Sequence, residues 1–470
     1  MSTGLVRFIT AGSVDDGKST LIGRLLYDTK AVLSDQLAAL SRTKHARVRA
    51  ADAQVDLALL TDGLEAEREQ GITIDVAYRY FVTAKRKFIV ADAPGHEQYT
   101  RNLVTGASQS DVAVILVDAT RVDFTTQPVT LLAQTKRHAA IVRLLGLRHV
   151  VVAVNKMDLL DFDQKAFEQI AQSIQDLAQK LGLPIPHLIP VSALLGDNVV
   201  SASTRTSWYH GPSLLQWLED LEISGSPEFK SLRLPVQYVA RQDGSAADDF
   251  RGYLGRIEAG QLQIGQRVKV LPSGLESTIS ELHISCGETV ANFTSEPQVG
   301  RAGQSVMVSL ADDIDVSRGD LIVAVQPVLK ASERLSANSV QSEVQAQAHG
   351  QMQTQELFLE PTLTKHLYAD VCWLDAEPLS LARKYVLQHT TNSVFAKVKG
   401  VKRVLDVHTL SHGFEASTLN TNDVGRIELT LQKPIAADLF DDLPNTGAFV
   451  LIDAATQHTV AAGMIRNLNP

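Results

Sequence analysis

The run Gly12-Ser-Val-Asp-Asp-Gly-Lys-Ser19 sets two glycines with four residues between them, the second just before a lysine and a hydroxyl residue. That spacing suits a loop that wraps phosphate groups. Glycines let successive backbone N–H groups turn inward, and a helix that follows offers its positive end. In such a loop the Lys18 ammonium bridges the β- and γ-phosphates and the Ser19 hydroxyl ligates Mg²⁺. Gly12, Ser13, Val14, Asp15, Asp16, Gly17, Lys18, Ser19 and Thr20 are therefore candidate nucleotide contacts, with Lys18 also a candidate catalytic residue.

Three further stretches supply complementary chemistry. Asp92 precedes Ala93, Pro94, Gly95 and His96. A carboxylate there can hold Mg²⁺ through water, and the Gly95 N–H can meet a γ-phosphate. Alone, this would be the Asp turn common before proline. Asn155, Lys156, Met157 and Asp158 follow. The Asp158 carboxylate can accept two hydrogen bonds from guanine N1 and N2. Adenine lacks that donor pair, so the site selects GTP over ATP, and a site built for such groups rejects analogues that lack them. Ser192, Ala193 and Leu194 then offer a backbone N–H to guanine O6. Together, in this order, the four signatures Gly12–Ser19, Gly71-Ile-Thr73, Asp92–His96 and Asn155–Asp158 imply GTP binding with Mg²⁺ and GTP hydrolysis; Ser192-Ala193 by itself says little.

These residues need a scaffold that presents them on one edge. Leu5–Thr10, Lys87–Asp92, Val112–Asp118 and His149–Asn155 are apolar runs of strand length leading into polar residues. That is the pattern of buried parallel strands with a site at their carboxyl ends. Helical stretches lie between them, for example Phe167–Leu181. After about residue 225 the texture becomes short β-type segments between Gly, Asp, Asn and Ser turns, such as 236–240, 252–260, 267–272 and 305–310, which predicts a β-barrel. A second such region includes 368–373, 425–431 and 448–453. The expected class is an α/β P-loop GTPase domain (1–225) followed by two β-barrel domains (226–329 and 363–470). A Gln/Ser-rich linker or insertion (330–362) separates the barrels.

Bulk composition bounds the reading. At 470 residues, 44% apolar and 21% charged, the chain is of ordinary globular composition. A net charge of −9 argues against a broad nucleic-acid surface, and nucleic acid is not expected as a partner. Two distant cysteines, Cys286 and Cys372, make neither a disulfide framework nor a zinc motif. With no signal peptide and no membrane-length apolar run, no membrane association is expected and the expected address is the cytoplasm.

The long segment from Ser19 to Thr73, with its charged end at 65–75, resembles the first switch of the translational-factor class of GTPases. The resemblance implies that Thr73 binds Mg²⁺ only when the γ-phosphate is present, and that hydrolysis releases the loop. It also implies that His96 positions the attacking water, gated by the apolar residues Val14 and Ile72. Catalytic candidates are thus His96, Lys18, Thr73 and Gly95, with Ser19, Thr73 and Asp92 at the metal. No arginine finger is identifiable, so hydrolysis should be slow until a partner or rearrangement accelerates it.

Longer runs carry a closer resemblance, covering nearly the whole length. Gly12–Leu26, Glu65–Phe81, Asp92–Asn102, Gly196–Val199, Trp208–Pro212 and Thr459–Ile465 resemble the GTP-hydrolysing large subunits of bacterial sulfate adenylyltransferase. Elongation factors typically show His where Ser13 stands, and rarely carry Glu-Gln-Tyr-Thr-Arg after Pro-Gly-His. The resemblance implies that GTP hydrolysis drives formation of adenylyl sulfate and pyrophosphate from ATP and sulfate. A smaller adenylyltransferase subunit would bind ATP and sulfate in a hetero-oligomer. The sequence contains no second phosphate loop, no Ser-Gly-Gly-x-Asp and no His-x-Gly-His, so adenylyl transfer by this chain alone is not expected. An aminoacyl-tRNA-carrying factor built on the same three domains is the alternative, and a purely regulatory GTPase a third reading.

Two stretches depart from the family pattern: 122–133, longer than expected near the second switch, and 330–362. Leu194 stands where many GTPases have Lys, which should weaken base stacking slightly. Other constellations are set aside. His408 and His412 lie in β-like sequence without a carboxylate pair, and His283 with Cys286 lacks a partner pair. Asp248-Asp249 reads as a solvated turn, and Trp208-Tyr209 as packing.

Overall fold

The structure is a computed structural model. It describes residues 4–31, 57, 75–126, 128–222, 231–241, 251–284, 299–325, 360–406, 409, 412–414 and 418–468. The Gln/Ser-rich stretch, apart from residues 360–362, and Cys286, His408 and Asp248-Asp249 lie outside the described residues.

The amino-terminal part is built on a six-stranded sheet of β1 (Leu5–Ala11), β2 (Ala77–Val82), β3 (Lys87–Asp92), β4 (Val112–Asp118), β5 (His149–Asn155) and β6 (His187–Pro190). Their order is β2-β3-β1-β4-β5-β6, parallel except for β2 against β3. Every residue of β4 is buried, as expected where helices cover both faces of a parallel sheet. Register brings the polar strand ends together: Thr10 lies beside Asp92, and Asp118 beside Asn155.

Among the described residues of this amino-terminal part the α-helices are α1 (Lys18–Asp28), α2 (Thr100–Ser108), α3 (Ala133–Leu144), α4 (Gln164–Leu181) and α5 (Leu214–Asp220). α4 starts three residues before the stretch read from sequence, because the Asp163 carboxylate accepts from the N–H groups of Lys165 and Ala166 and caps it there. Its buried stripe Phe167, Ile170, Ile174 and Leu177 has helical spacing, and Gly182 in the left-handed region ends it. The 122–133 stretch packs against α4: Val129 and Leu131 are buried, and Ser173 Oγ donates to Val129 O at 2.8 Å.

The middle part forms β7 (Leu234–Pro235), β8 (Tyr238–Arg241), β9 (Arg251–Arg256), β10 (Gln261–Gln263), β11 (Arg267–Leu271), β12 (Leu275–Ile284), β13 (Val299–Arg301), β14 (Ser305–Leu310) and β15 (Leu321–Ala324). Seven of these make a sheet of order β7-β15-β11-β12-β14-β9-β8. Its two edges, β7 and β8, are neighbouring pieces of one chain run, so the sheet rolls back on itself as a barrel.

The carboxy-terminal part contains β16 (Thr362–Trp373), β17 (Tyr385–His389), β18 (Asn392–Leu405), β19 (His412–Phe414), β20 (Val424–Ala437), β21 (Ala448–Asp453) and β22 (Thr459–Asn467). An additional β17–β18 pairing closes six of these strands into a ring, which leaves those six without a free edge, while the short β19 pairs with β18 alone. Cys372, Phe440 and Met464 of this barrel share an apolar cluster with Leu103, Ile141 and Leu144 of the amino-terminal part. Between the barrels, Arg233 and Asp438 form a buried two-pronged pair, Nε to Oδ2 at 2.9 Å and Nη2 to Oδ1 at 2.8 Å.

Candidate functional site

The loop between β1 and α1 is closed by its own side chains. Lys18 Nζ donates to Gly12 O at 3.1 Å and Ser13 O at 2.8 Å. The Asp16 carboxylate accepts from Ser13 N at 2.5 Å through Oδ2. Gly17 precedes α1 at φ 92°, and a Cβ there would run into the Asn155 amide. Gly95 is pressed on the same loop: a Cβ on it would lie 2.5 Å from Lys18 Nζ and 2.7 Å from Val14 N. Glycine at both positions is a steric requirement.

The charges are arranged for an anion with a cation beside it. Burial pushes the Lys18 ammonium below its ordinary pKa, opposed by Asp92, Asp16 and Asp15. Burial also raises Asp16 to about 6, helped by Asp118 and opposed by Lys18, the Ser13 N–H and Arg121. Ser19 Oγ donates to Asp92 Oδ2 at 3.2 Å, and Thr10 Oγ1 donates to Asp92 Oδ1 at 3.2 Å. A hydroxyl and a buried carboxylate in contact are the hard oxygen donors that suit Mg²⁺, so the residues fit that ion. Thr73 and Ile72, assigned to the metal and the gate, lie outside the described residues.

On the base side, one buried amide joins two loops. Asn155 Nδ2 donates to Asp16 O at 2.8 Å, and its Oδ1 accepts from Ala193 N at 2.9 Å. Lys156, at φ 62°, sends Nζ to Asp118 Oδ2 at 2.6 Å. Burial alone would raise Asp118, but Lys156 and Thr120 outweigh it and hold it below the usual carboxylate range. Met157 is buried, Asp158 stands half-buried at the head of the turn, Ser192 and Ala193 are buried, and Leu194 is exposed. Trp208 packs on Phe167 and donates from Nε1 to Phe162 O, as the packing reading expects.

The second switch begins at Ala93, Pro94 and Gly95, all buried, and continues through the exposed His96. His96 Nδ1 accepts from Gln98 N at 3.3 Å, so the ring caps the short turn Glu97–Tyr99. Val14 is half-buried in the phosphate loop, and Asp15 is exposed.

Four contributors escaped the sequence reading. Arg24 of α1 donates from Nε to Ala193 O at 3.3 Å and from Nη2 to Leu194 O, holding the base loop. Arg121 Nη1 donates to Val14 O at 2.7 Å. Gln134 Nε2 donates to Gly95 O at 3.3 Å. Asp118 anchors Lys156. Only the folded register brings these residues beside the motifs, and none has a diagnostic local pattern.

Comparison with known proteins places this geometry. The elongation factor Tu GTP binding domain model matches residues 3–232, and the GTP-eEF1A C-terminal domain-like model matches residues 366–466. Sulfate adenylyltransferase subunit 1 of Aeromonas hydrophila is 43% identical over 98% of this chain and 86% of that protein. The protein of the same name from Vibrio cholerae is 44% identical over the same shares. The chain belongs to the sulfate adenylyltransferase subunit 1 family.

Membership bears out the GTP-binding expectation, because the loop, the Asp92 turn and the Asn155 turn all lie inside the matched GTP-binding domain. It also agrees with the resemblance drawn from the motif runs, and the aminoacyl-tRNA-carrying alternative is not favoured. The bifunctional enzyme CysN/CysC of Mycobacterium tuberculosis is 45% identical over 98% of this chain and 67% of that protein. The subunit 1 family name places the chain in an enzyme of more than one subunit. Among the described residues no helix is long and apolar enough to cross a membrane.

Proposed function

We propose that this chain is the GTP-hydrolysing subunit of a sulfate adenylyltransferase, coupling GTP hydrolysis to adenylyl sulfate formation in a smaller partner subunit. In the partner, a sulfate oxygen would attack the α-phosphorus of ATP, forming adenylyl sulfate and releasing pyrophosphate. That mixed anhydride lies uphill, which is why a second hydrolysis is needed. The proposal includes three domains at 1–225, 226–329 and 363–470, supported by the separate sheets, and a cytoplasmic address where ATP and GTP are supplied.

Lys18 and the loop N–H groups hold the phosphates, and Asp158 reads the guanine. Ser19, Thr73 and Asp92 would hold Mg²⁺, which when bound supplies charge neutralisation at the β- and γ-phosphates. Gly95 N–H faces the γ-phosphate position. His96, swung in between Val14 and Ile72, orients the water that attacks the γ-phosphorus and breaks its bond to the bridging oxygen.

One observation carries the coupling. The second switch is tied directly to the carboxy-terminal barrel: Asn422 Nδ2 donates to Glu97 O at 2.9 Å, and Arg101 Nη2 donates to Thr459 O at 3.0 Å. A change at Gly95–His96 therefore moves a barrel that a partner can read.

The test is sulfate-dependent pyrophosphate release from ATP by this chain with the smaller subunit, with GTP, without it, and with a non-hydrolysable analogue. Stimulation by GTP alone, lost in His96→Ala, is expected. Equal rates in all three conditions, with GTP-dependent binding of charged tRNA, would overturn the reading.

A further inference from the structure

A cleft of about 210 Å³ opens between the carboxyl ends of α3 and α4 and the carboxy-terminal barrel, away from the phosphate loop. It exceeds the roughly 150 Å³ that admits benzene. Five cationic side chains and two carboxylates line it. The barrel wall is a convergence of three guanidinium groups on one carboxylate. Arg426 grips Asp370 with two bonds, at 2.7 and 2.9 Å. Arg466 Nε donates to the same group at 3.0 Å. Arg403 Nη2 stands 3.6 Å from it, too far for a hydrogen bond.

One carboxylate cannot neutralise three guanidiniums. Asp441 takes one further bond from Arg466, which still leaves the barrel wall with excess positive charge. Arg143 and Lys180 add two more cations from the opposite wall. The carboxyl ends of α3 and α4 offset roughly half a charge each, so about two positive charges remain. Arg403, Arg143 and Lys180 also bring planar or point-charge donors suited to oxyanions.

We propose that this interdomain cleft binds a small inorganic oxyanion of the sulfate, phosphate or pyrophosphate class, held between Arg403 on the barrel and Arg143 and Lys180 on the GTPase part. Such an anion clamps α3 to the barrel. α3 also holds the second switch, through Gln134 to Gly95 O at 3.3 Å and Arg137 to Glu97 at 2.6 Å. The site is thus placed to bias the switch from a distance, independently of what the partner subunit does.

The test uses the full chain saturated with a non-hydrolysable GTP analogue, so that neither the phosphate loop nor the γ-phosphate position is open to the anion. Sodium sulfate, phosphate and pyrophosphate are titrated separately at constant ionic strength, by calorimetry and thermal unfolding, against chloride. Saturable binding of at least one of the three is expected, and their ranking identifies the source. Arg143→Gln with Arg403→Gln should weaken that binding at least about tenfold, the loss of charge-assisted bonds, with GDP affinity unchanged. Lys180→Gln, at an exposed position, should weaken it without affecting folding. Absence of saturable binding by all three anions, or equal binding by the variants, would overturn the proposal. A purely structural arginine cluster would alter stability with no dependence on the anion.

Discussion

Replacing Asn155 by Ala tests whether one amide bolts the phosphate loop to the base loop. The side chain is buried and makes two bonds, 2.8 Å to Asp16 O and 2.9 Å from Ala193 N. Leaving a buried group unsatisfied costs about 1–3 kcal/mol. Water entering the space left behind reduces that cost. Two such groups then amount to about 2–3 kcal/mol. For a domain of this size each kcal/mol lowers Tm by roughly 2–4 °C, so the GTPase part should unfold about 4–12 °C earlier. The loops are also no longer pre-formed, so GDP affinity should fall about tenfold or more. Asn155→Asp separates the two bonds. It keeps the acceptor for Ala193 N but turns a carboxylate on Asp16 O, and should be the worse variant. The assays are calorimetric unfolding and titration with a fluorescent GDP analogue. An Asn155→Ala protein that unfolds within about 2 °C of the parent and binds GDP within about threefold would refute the reasoning.

Three more outcomes follow from the same geometry. Arg233→Met strands the buried Asp438 carboxylate and should cost about 3–5 kcal/mol in urea unfolding. Adding Asp438→Asn should recover much of that loss, and no recovery would mean packing, not charge, was at stake. Asp158→Asn should weaken GTP binding by about a hundredfold or more, since two charge-assisted bonds are lost. It should bind xanthosine triphosphate better than GTP in a competition titration, because xanthine accepts at C2 where guanine donates. His138 is fully buried and burial lowers it to about 3 from an ordinary 6.5. The unfolded chain therefore takes up its proton first, so this contribution to stability is complete above about pH 6.5 and declines as pH falls toward 3. Unfolding free energy measured against pH should show that slope, and His138→Gln should flatten it.

The sequence determined the chemistry, because each motif is local. A glycine loop, an Asp before Pro-Gly and an Asn-Lys-x-Asp turn each state their role through backbone freedom or a side-chain donor set within a few residues. Strand and helix positions were legible for the same reason, since burial on both faces writes continuous apolar runs such as 112–118. The rolled sheets were legible as many short strands, but their closure was not. The β17–β18 pairing and the shared run of β7 and β8 are decided by twist and register, which involve residues far apart in the chain.

Tertiary structure alone decided how the site is held together. Arg24, Arg121 and Gln134 carry no local signature, yet each grips a backbone carbonyl of a motif distant in sequence. The contacts joining Glu97 to Asn422 and Arg101 to Thr459 span more than three hundred residues. The two walls of the cationic cleft are likewise far apart in the chain, and the cleft exists only because two folded parts meet. Local sequence fixes what a residue can donate or accept, whereas the long-range packing of apolar faces chooses its partner.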